Sequence, residues 1–477
     1  MKKTLYVLCF VLLLTPAAVA FYHRYVERHQ IVILSTNDMH AAIENFPRLA
    51  EAVEECRDTA TVVLVDAGDR WTGNAFVDLA PEPRKPIIDL MNELRYDVGT
   101  FGNHEFDGGK EFLARMLPEY GFRLVCANIE SEDGTFPYVA PSTIVEADGV
   151  KIGFVGVVTN YDNGHPDGNH SCFEGLRFPD PQQSAIDEAA AIKRKCDIMV
   201  LVSHMGYDKD LELAGRTDDY DLIISGHTHV LADTVVRNTV IGQTRKSLIA
   251  VGATKITMRG LDIRSIEYEN IMLDGYEADD DFQEMVDEIM ADPHLHEKVG
   301  YNAVPLDRVG LADMQTSIIA RATGSDVGFY HYGGIRLTEL AADSISRAQL
   351  FDLEPFFSTV TTMKMTPEQM RHMIITKYND TGNAKESHRV DLFSTTPYTI
   401  WVDDRGEAVD VTFPKLRPGH LYKVAMCNYI ADKYDGIEAV DIEPHEDMKV
   451  LDLGIEYFRT HSPVRFSNTP KQHVARR

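Results

Sequence analysis

Ile31-Val32-Ile33-Leu34-Ser35-Thr36-Asn37-Asp38-Met39-His40 sets a short apolar run directly before an Asp-x-His ending. The construction recurs along the chain. Val62-Val63-Leu64-Val65 leads to Asp66-Ala67-Gly68-Asp69, Ile198-Met199-Val200-Leu201-Val202 to Ser203-His204, and Leu222-Ile223-Ile224 to Gly226-His227-Thr228-His229. A fifth cluster, Gly102-Asn103-His104-Glu105-Phe106-Asp107, has the same chemical character. Short apolar runs bounded by Gly or Asn read as buried parallel strands. Open α/β sheets bind ligands beyond the carboxyl ends of such strands. Asp, Asn and His at that edge supply oxygen and imidazole donors, a set suited to Mn, Zn or Fe. A single His is more often a hydrogen-bonded core residue than a ligand, and Gly-Asp is usually a turn. Five clusters in register point to a metal site.

Composition narrows the class. The 477 residues allow two domains or three, and 44% hydrophobic with 25% charged residues is ordinary for a globular protein. With 47 Lys+Arg against 74 Asp+Glu, the formal net charge of −27 excludes general nucleic-acid binding, which needs basic patches. It does not exclude a small phosphorylated substrate, because bound metal supplies local positive charge.

The first residues read as an address. Lys2-Lys3, an apolar stretch from Thr4 to Leu14 and Ala18-Val19-Ala20 together form a Sec-type signal peptide with cleavage expected after Ala20. That implies a periplasmic or secreted protein with no stable membrane insertion once the signal is removed; an uncleaved anchor stays open. Beyond Cys9, the five cysteines Cys56, Cys126, Cys172, Cys196 and Cys427 are widely spaced and form no C-x-x-C pair. Buried free thiols are the expectation, with a Cys172–Cys196 bridge conceivable.

Strand and helix patterns alternate from residue 30 to about 265, and a second αβ segment begins near 300. Helical stripes fall over Phe46 to Cys56, Ile87 to Leu94, Phe112 to Leu117 and Gln182 to Lys195. Asn160 to His170 reads as a surface loop, with His165 and His170 as surface residues. An acidic amphipathic stretch over residues 276–298 reads as a helix linking two domains, here placed at 30–275 and 299–470. Lys471 to Arg477 reads as a basic disordered tail.

The five clusters, in this order, resemble those of the calcineurin-like metallophosphoesterases, and more narrowly the bacterial 5′-nucleotidase and UDP-sugar hydrolase family. The resemblance implies an α/β fold: a metallophosphoesterase four-layer β-sandwich flanked by helices, followed by a smaller C-terminal α/β substrate-binding domain. It implies two divalent ions (Mn, Zn, Fe or Co), with Asp38, His40 and His229 on one, Asn103, His204 and His227 on the other, and Asp69 bridging them. His104 matches the family's catalytic histidine, with Asp107 orienting its ring. The attacking group would be metal-bound water. Glu105 reads as structural or helix-capping.

In the C-terminal part, Gly333-Gly334-Ile335-Arg336 resembles the family's G-G-[IV]-R block, with His331 standing where Asn is usual. Pro355-Phe356-Phe357-Ser358 and Asn428-Tyr429-Ile430-Ala431-Asp432-Lys433-Tyr434-Asp435-Gly436 resemble the blocks that stack a base. The resemblance thus implies substrate contacts from Arg336, Phe356, Tyr429 and Asp435. Lys433-Tyr434 replaces a Gly pair, which either reshapes the loop or narrows the pocket.

The sequence therefore points to hydrolysis of nucleoside 5′-monophosphates, a small-molecule nucleotide or other phosphate ester being the partner. Two alternatives stay open. One keeps the metal pair but changes the ester to a UDP-sugar or a 2′,3′-cyclic nucleotide. The other is a non-catalytic nucleotide-binding protein, against which every assigned metal position carries a ligating side chain. The sequence leaves the oligomeric state open.

Overall fold

The computed structural model describes residues 28–380 and 388–477. The expected signal segment, through Ala20, lies outside the described residues. Two compact units emerge: one runs to Ala291, apart from Gly73–Asp78, and the other comprises Gly73–Asp78 and Asp292–Arg477.

The first unit is built on two six-stranded sheets. In the first, Arg28–Thr36 lies between Ala250–Arg259, antiparallel, and Thr61–Asp66, parallel. Val98–Gly99 continues the parallel order. In the second, Ile198–His204 lies between Val150–Val158 and Leu222–Ser225, both parallel to it. Alternation along the strands decides which face meets what. Ile31, Ile33, Val63 and Val65 join Ile152, Phe154, Val200, Val202 and Leu222 in one apolar core shared by both sheets. The opposite faces of the second sheet, through Val155, Val157, Leu201 and Ile223, pack against Ala185, Ala189, Leu213 and Ala214 of two covering helices. Burying each large aliphatic side chain contributes roughly 1.5–3 kcal/mol.

The helices follow the sequence stripes. Phe46–Arg57 buries Phe46, Leu49 and Val53. Pro181–Ile192 begins where Asp180 accepts a hydrogen bond from the Gln183 amide at 2.7 Å, capping a free N–H. The acidic stretch forms a helix over Asp280–Met290, capped by Asp279, and it packs on Phe46–Arg57 with the Phe46 and Phe282 rings 6.3 Å apart. The division between the units follows Ala291.

The second unit is a smaller α/β structure around a five-stranded sheet, in the order Leu392–Ser394, Val327–His331, Tyr422–Cys427, Thr359–Met365 and Val440–Lys449. Helix Arg308–Thr323 buries Leu311, Met314, Ile318 and Ile319 in its core. The basic C-terminus is not a disordered tail. Gln472–Arg476 pairs parallel with Tyr398–Val402, from Tyr398 opposite Gln472 to Val402 opposite Arg476, so its backbone is tied by a ladder despite its charge. Among the described residues all five cysteines are free thiols, and no helix is long and apolar enough to cross a membrane.

Candidate metal centre and substrate residues

Five of the seven expected metal-binding residues leave their strands in the left-handed region: Asp38 (φ 49°), His40 (46°), Asp69 (57°), His227 (75°) and His229 (54°). Each such non-glycine residue costs roughly 1 kcal/mol or more, and such conformations persist where surrounding structure imposes them. Two glycines make the crowding possible. A Cβ on Gly68 would lie 2.3 Å from the Gly102 nitrogen, and one on Gly102 would lie 2.2 Å from Asp69 Oδ1. The loops after Thr61–Asp66 and Val98–Gly99 are thereby brought into backbone contact.

Ligand atoms of Asp38, His40, Asp69 and His229 all lie within 4.8 Å of one another, as do those of Asp69, His204 and His227. Asp69 belongs to both groups. Asn103 joins the second, its Oδ1 standing 3.0 Å from His227 Nδ1. All seven residues are thus in one place.

The ring nitrogens show what this place is built for. His40 Nδ1 faces the Thr72 carbonyl at 3.1 Å, and His204 Nδ1 faces the Ala67 carbonyl at 2.6 Å. A carbonyl only accepts, so both Nδ1 atoms carry protons, and in the neutral rings Nε2 is a lone-pair atom. His227 Nε2 is held by Asp167 Oδ2 at 3.1 Å, which turns its Nδ1 lone pair toward Asn103 Oδ1. These lone pairs meet other acceptors. His204 Nε2 lies 3.1 Å from Asp69 Oδ2 yet makes no hydrogen bond although fully buried. His229 Nε2 lies between two acceptors, 3.1 Å from His40 Nε2 and 3.2 Å from Asp38 Oδ1, and a single proton there serves only one of them. Acceptors facing acceptors in a buried site repel unless positive charge stands between them. The donor set fits divalent metal ions.

The acid–base balance agrees. Burial opposes ionisation of Asp69, but His204 and His104 beside it hold it well below the usual carboxylate range. Asp38 is likewise held low against burial, chiefly by His229. Burial disfavours charging His204, yet Asp69 lifts it to about 10. Without metal the pocket draws a proton to that imidazole; with metal, the cation takes the proton's place.

His104 stands at the edge of this cluster, its ring centroid 5.1 Å from that of His40. Its backbone N–H donates to Asp69 Oδ1 at 2.8 Å, and its Nδ1 donates to Asp107 Oδ2 at 2.8 Å. Thr72 Oγ1 donates to the same carboxylate oxygen at 2.6 Å, fixing the acid that fixes the ring.

Several supporting groups escaped sequence reasoning. Asn37 donates to Asp38 Oδ2 at 2.6 Å and accepts from the Thr244 amide and hydroxyl. Gln243 donates to the Gly226 carbonyl and accepts from the Val230 amide, bracing the turn that carries His227 and His229. Asp167 sits in the turn-rich loop, where nothing in composition marks it. His165, read as a surface residue, instead stacks on Phe173 with centroids 5.7 Å apart.

The four expected substrate residues lie in the second unit, in segments following or preceding neighbouring strands. Val327–His331 runs parallel to Tyr422–Cys427, which pairs antiparallel with Thr359–Met365. The Arg336, Phe356 and Tyr429 segments therefore emerge at one end of the sheet. The Arg336 guanidinium lies 4.8 Å over the Phe356 ring. Tyr429 stacks on His331, centroids 4.7 Å apart and planes at 23°. Tyr434 stands edge-on to both rings, with its hydroxyl donating to Asp391 and Lys377 Nζ 4.7 Å over its face. Asp435 is exposed. Beneath them, buried Glu354 accepts a hydrogen bond from Ser358, and burial pushes its carboxyl up to about 8.

Comparison with known proteins agrees with this division. The calcineurin-like phosphoesterase family matches residues 31–231, and the 5′-nucleotidase C-terminal domain matches residues 297–442. Endonuclease YhcR of Bacillus subtilis (strain 168) is 25% identical over 93% of this chain and 41% of its own length. The trifunctional nucleotide phosphoesterase protein YfkN of the same organism is 24% identical over 89% of this chain and 33% of its own length. The chain thus spans less than half of either relative. The structure of a 5′-nucleotidase precursor from Thermus thermophilus superposes with a TM-score of 0.77 at 20% identity, covering 93% of this chain and 99% of that one, so the fold is shared.

Proposed function

Because the chain belongs to the calcineurin-like metallophosphoesterases that carry a 5′-nucleotidase C-terminal domain, we propose that it hydrolyses nucleoside 5′-monophosphates to nucleoside and inorganic phosphate with two divalent ions. The observation that carries this reading is the buried cluster of imidazole lone pairs and carboxylates around Asp69. Asp38, His40, His229 and Asp69 would hold one ion, and Asp69, Asn103, His204 and His227 the other. Bound there, the ions would polarise a phosphoryl oxygen and make water a better nucleophile.

The chain's own residues supply the rest. Asp107 accepts a hydrogen bond from His104 Nδ1, leaving Nε2 as the ring's proton-transfer atom. Water's oxygen would bond to phosphorus as the bond from phosphorus to the 5′ oxygen breaks; His104, entering as the imidazolium, would give its Nε2 proton to the departing oxygen, and a proton of the attacking water, released through the phosphate, would restore it. Phe356 and Tyr429 would stack the base, worth about 1–3 kcal/mol per ring contact. Arg336 and Asp435 would meet the polar parts of the substrate. Hydrolysis outside the cytoplasm, after removal of the segment ending at Ala20, completes the reading.

A diester substrate, such as a UDP-sugar or a 2′,3′-cyclic nucleotide, is the second reading. Lys433-Tyr434 in place of a Gly pair, with Tyr434 edge-on to Tyr429, motivates it by rewriting the pocket. The relatives named endonuclease and trifunctional nucleotide phosphoesterase point the same way. Product analysis with Mn (nucleoside, nucleotide, sugar phosphate and inorganic phosphate) across AMP, UMP, UDP-glucose, a 2′,3′-cyclic nucleotide and an aryl phosphate separates the two. Preference for the 5′-monophosphates supports the first reading; turnover confined to diesters or the aryl ester rejects it.

A further inference from the structure

Glu105 lies inside the Gly102–Asp107 cluster but none of its atoms belongs to the ligand set. It is fully buried, and its carboxylate is spent on backbone. Oε2 accepts from the Asp69 amide at 2.9 Å and from the Gly102 amide at 2.5 Å, while Oε1 accepts from the Arg70 amide at 2.9 Å. One side chain therefore gathers three N–H groups from the two loops that carry Asp69 and Asn103. Those amides need it. Asp69 lies beyond the end of Thr61–Asp66, so no strand ladder takes its N–H. Hydrogen bonds to an ionised acceptor are roughly twice as strong as neutral ones.

A buried carboxylate needs a counter-charge, and Arg70 provides it. Arg70 is as buried as Glu105. Its Nη1 lies 3.6 Å from Glu105 Oε1, and its Nη2 is 2.9 Å from Asp66 Oδ1 and donates to the Thr100 carbonyl at 2.7 Å. The guanidinium also lies over the rings of Tyr120 and Phe122. The network's hydrogen bonds go to the backbone of the two loops that present Asp69 and Asn103.

We propose that Glu105 is a positioning residue of the metal centre, holding the Asp69 and Gly102 amides so that Asp69 and Asn103 face one another before metal arrives, with Arg70 as its counter-charge. The proposal rests on reading the cluster as a metal centre but not on any substrate. Glu105→Gln keeps the shape while setting an NH2 group against backbone N–H donors. Mn titration calorimetry of the EDTA-treated full chain, with melting in EDTA alongside, tests it. Loss of a partner that orients ligands costs about 10–100-fold in metal affinity, and that loss is expected for E105Q. A wild type that does not bind Mn overturns the metal-centre reading, and this proposal with it. Wild-type binding matched within about threefold by E105Q overturns this proposal alone. So does a lowered melting temperature with unchanged Mn affinity, which is what a merely structural role would give. Should E105Q not fold, Glu105→Asp, which retracts the charge by one methylene, is expected to bind Mn more weakly, and wild-type affinity there overturns the proposal equally.

Discussion

The two units solve opposite electrostatic problems. In the first, Asp38 and Asp69 are buried yet held ionised by the imidazoles around them, and His204 is pushed toward the charged form. In the second, Glu354 is equally buried, but the Arg336 charge does not offset that burial, and the carboxyl rises to about 8. One pocket concentrates charge for an ion; the other keeps an acid neutral beneath a platform of rings. A metal centre demands particular atoms in particular places, whereas a stacking surface accepts any ring with the right face. That difference explains why the first unit spells out its site in five clusters and the second only sketches one.

The sharpest way to break the comparison is Asp69→Ala. Removal of the carboxylate shared by both ligand groups is expected to lower phosphate release by on the order of a thousandfold or more and to abolish Mn binding in calorimetry. Near-normal turnover would remove Asp69 from the mechanism. His104→Ala is expected to cost about 10²–10⁴-fold in kcat while Mn affinity stays near wild type, because His104 lies outside the ligand set.

Glu354 sharpens the other half. Its folded value is raised from 4.5 to about 8, so between those limits the folded chain keeps a proton that the unfolded chain has released. Stability is therefore greatest below about 4.5 as far as this group is concerned, and falls as pH rises through about 8. Glu354→Gln should flatten that slope in denaturant melts of the second unit's transition, by on the order of a few kcal/mol at the alkaline end. An unchanged slope would show that Glu354 is compensated in the folded protein. The smallest expected effect is at the rings. Tyr429→Ala should raise KM for AMP about tenfold, within the roughly 1–3 kcal/mol of a stacking contact, and leave an aryl phosphate little changed. An equal loss on both substrates would mean that the ring shapes the fold instead.

Much of the first unit is legible because four of its five clusters follow strands that apolar runs announce. The supporting layer is not. Glu105 reads in sequence as structural or helix-capping, but nothing there joins it to Arg70 and Asp66; only burial at a single point makes them one network. Asp167 hid in a loop rich in turn residues, and its reach to His227 depends on chain path alone. Lys471 to Arg477 reads as disordered because Lys471, Arg476 and Arg477 outweigh its single Val, while parallel pairing of Gln472–Arg476 with Tyr398–Val402 needs only backbone. Lys433-Tyr434 did signal an altered pocket, but not that Tyr434 would bond to Asp391 and stand edge-on to His331 and Tyr429.

The central claim is that a divalent centre on Asp69 hydrolyses a phosphate ester. It is tested most directly by inorganic phosphate release from UMP by the EDTA-stripped chain, before and after Mn is restored, with Asp69→Ala alongside. The account predicts no release without Mn, release on its return and none in the variant. Release that persists in EDTA, or that Asp69→Ala retains, would contradict it.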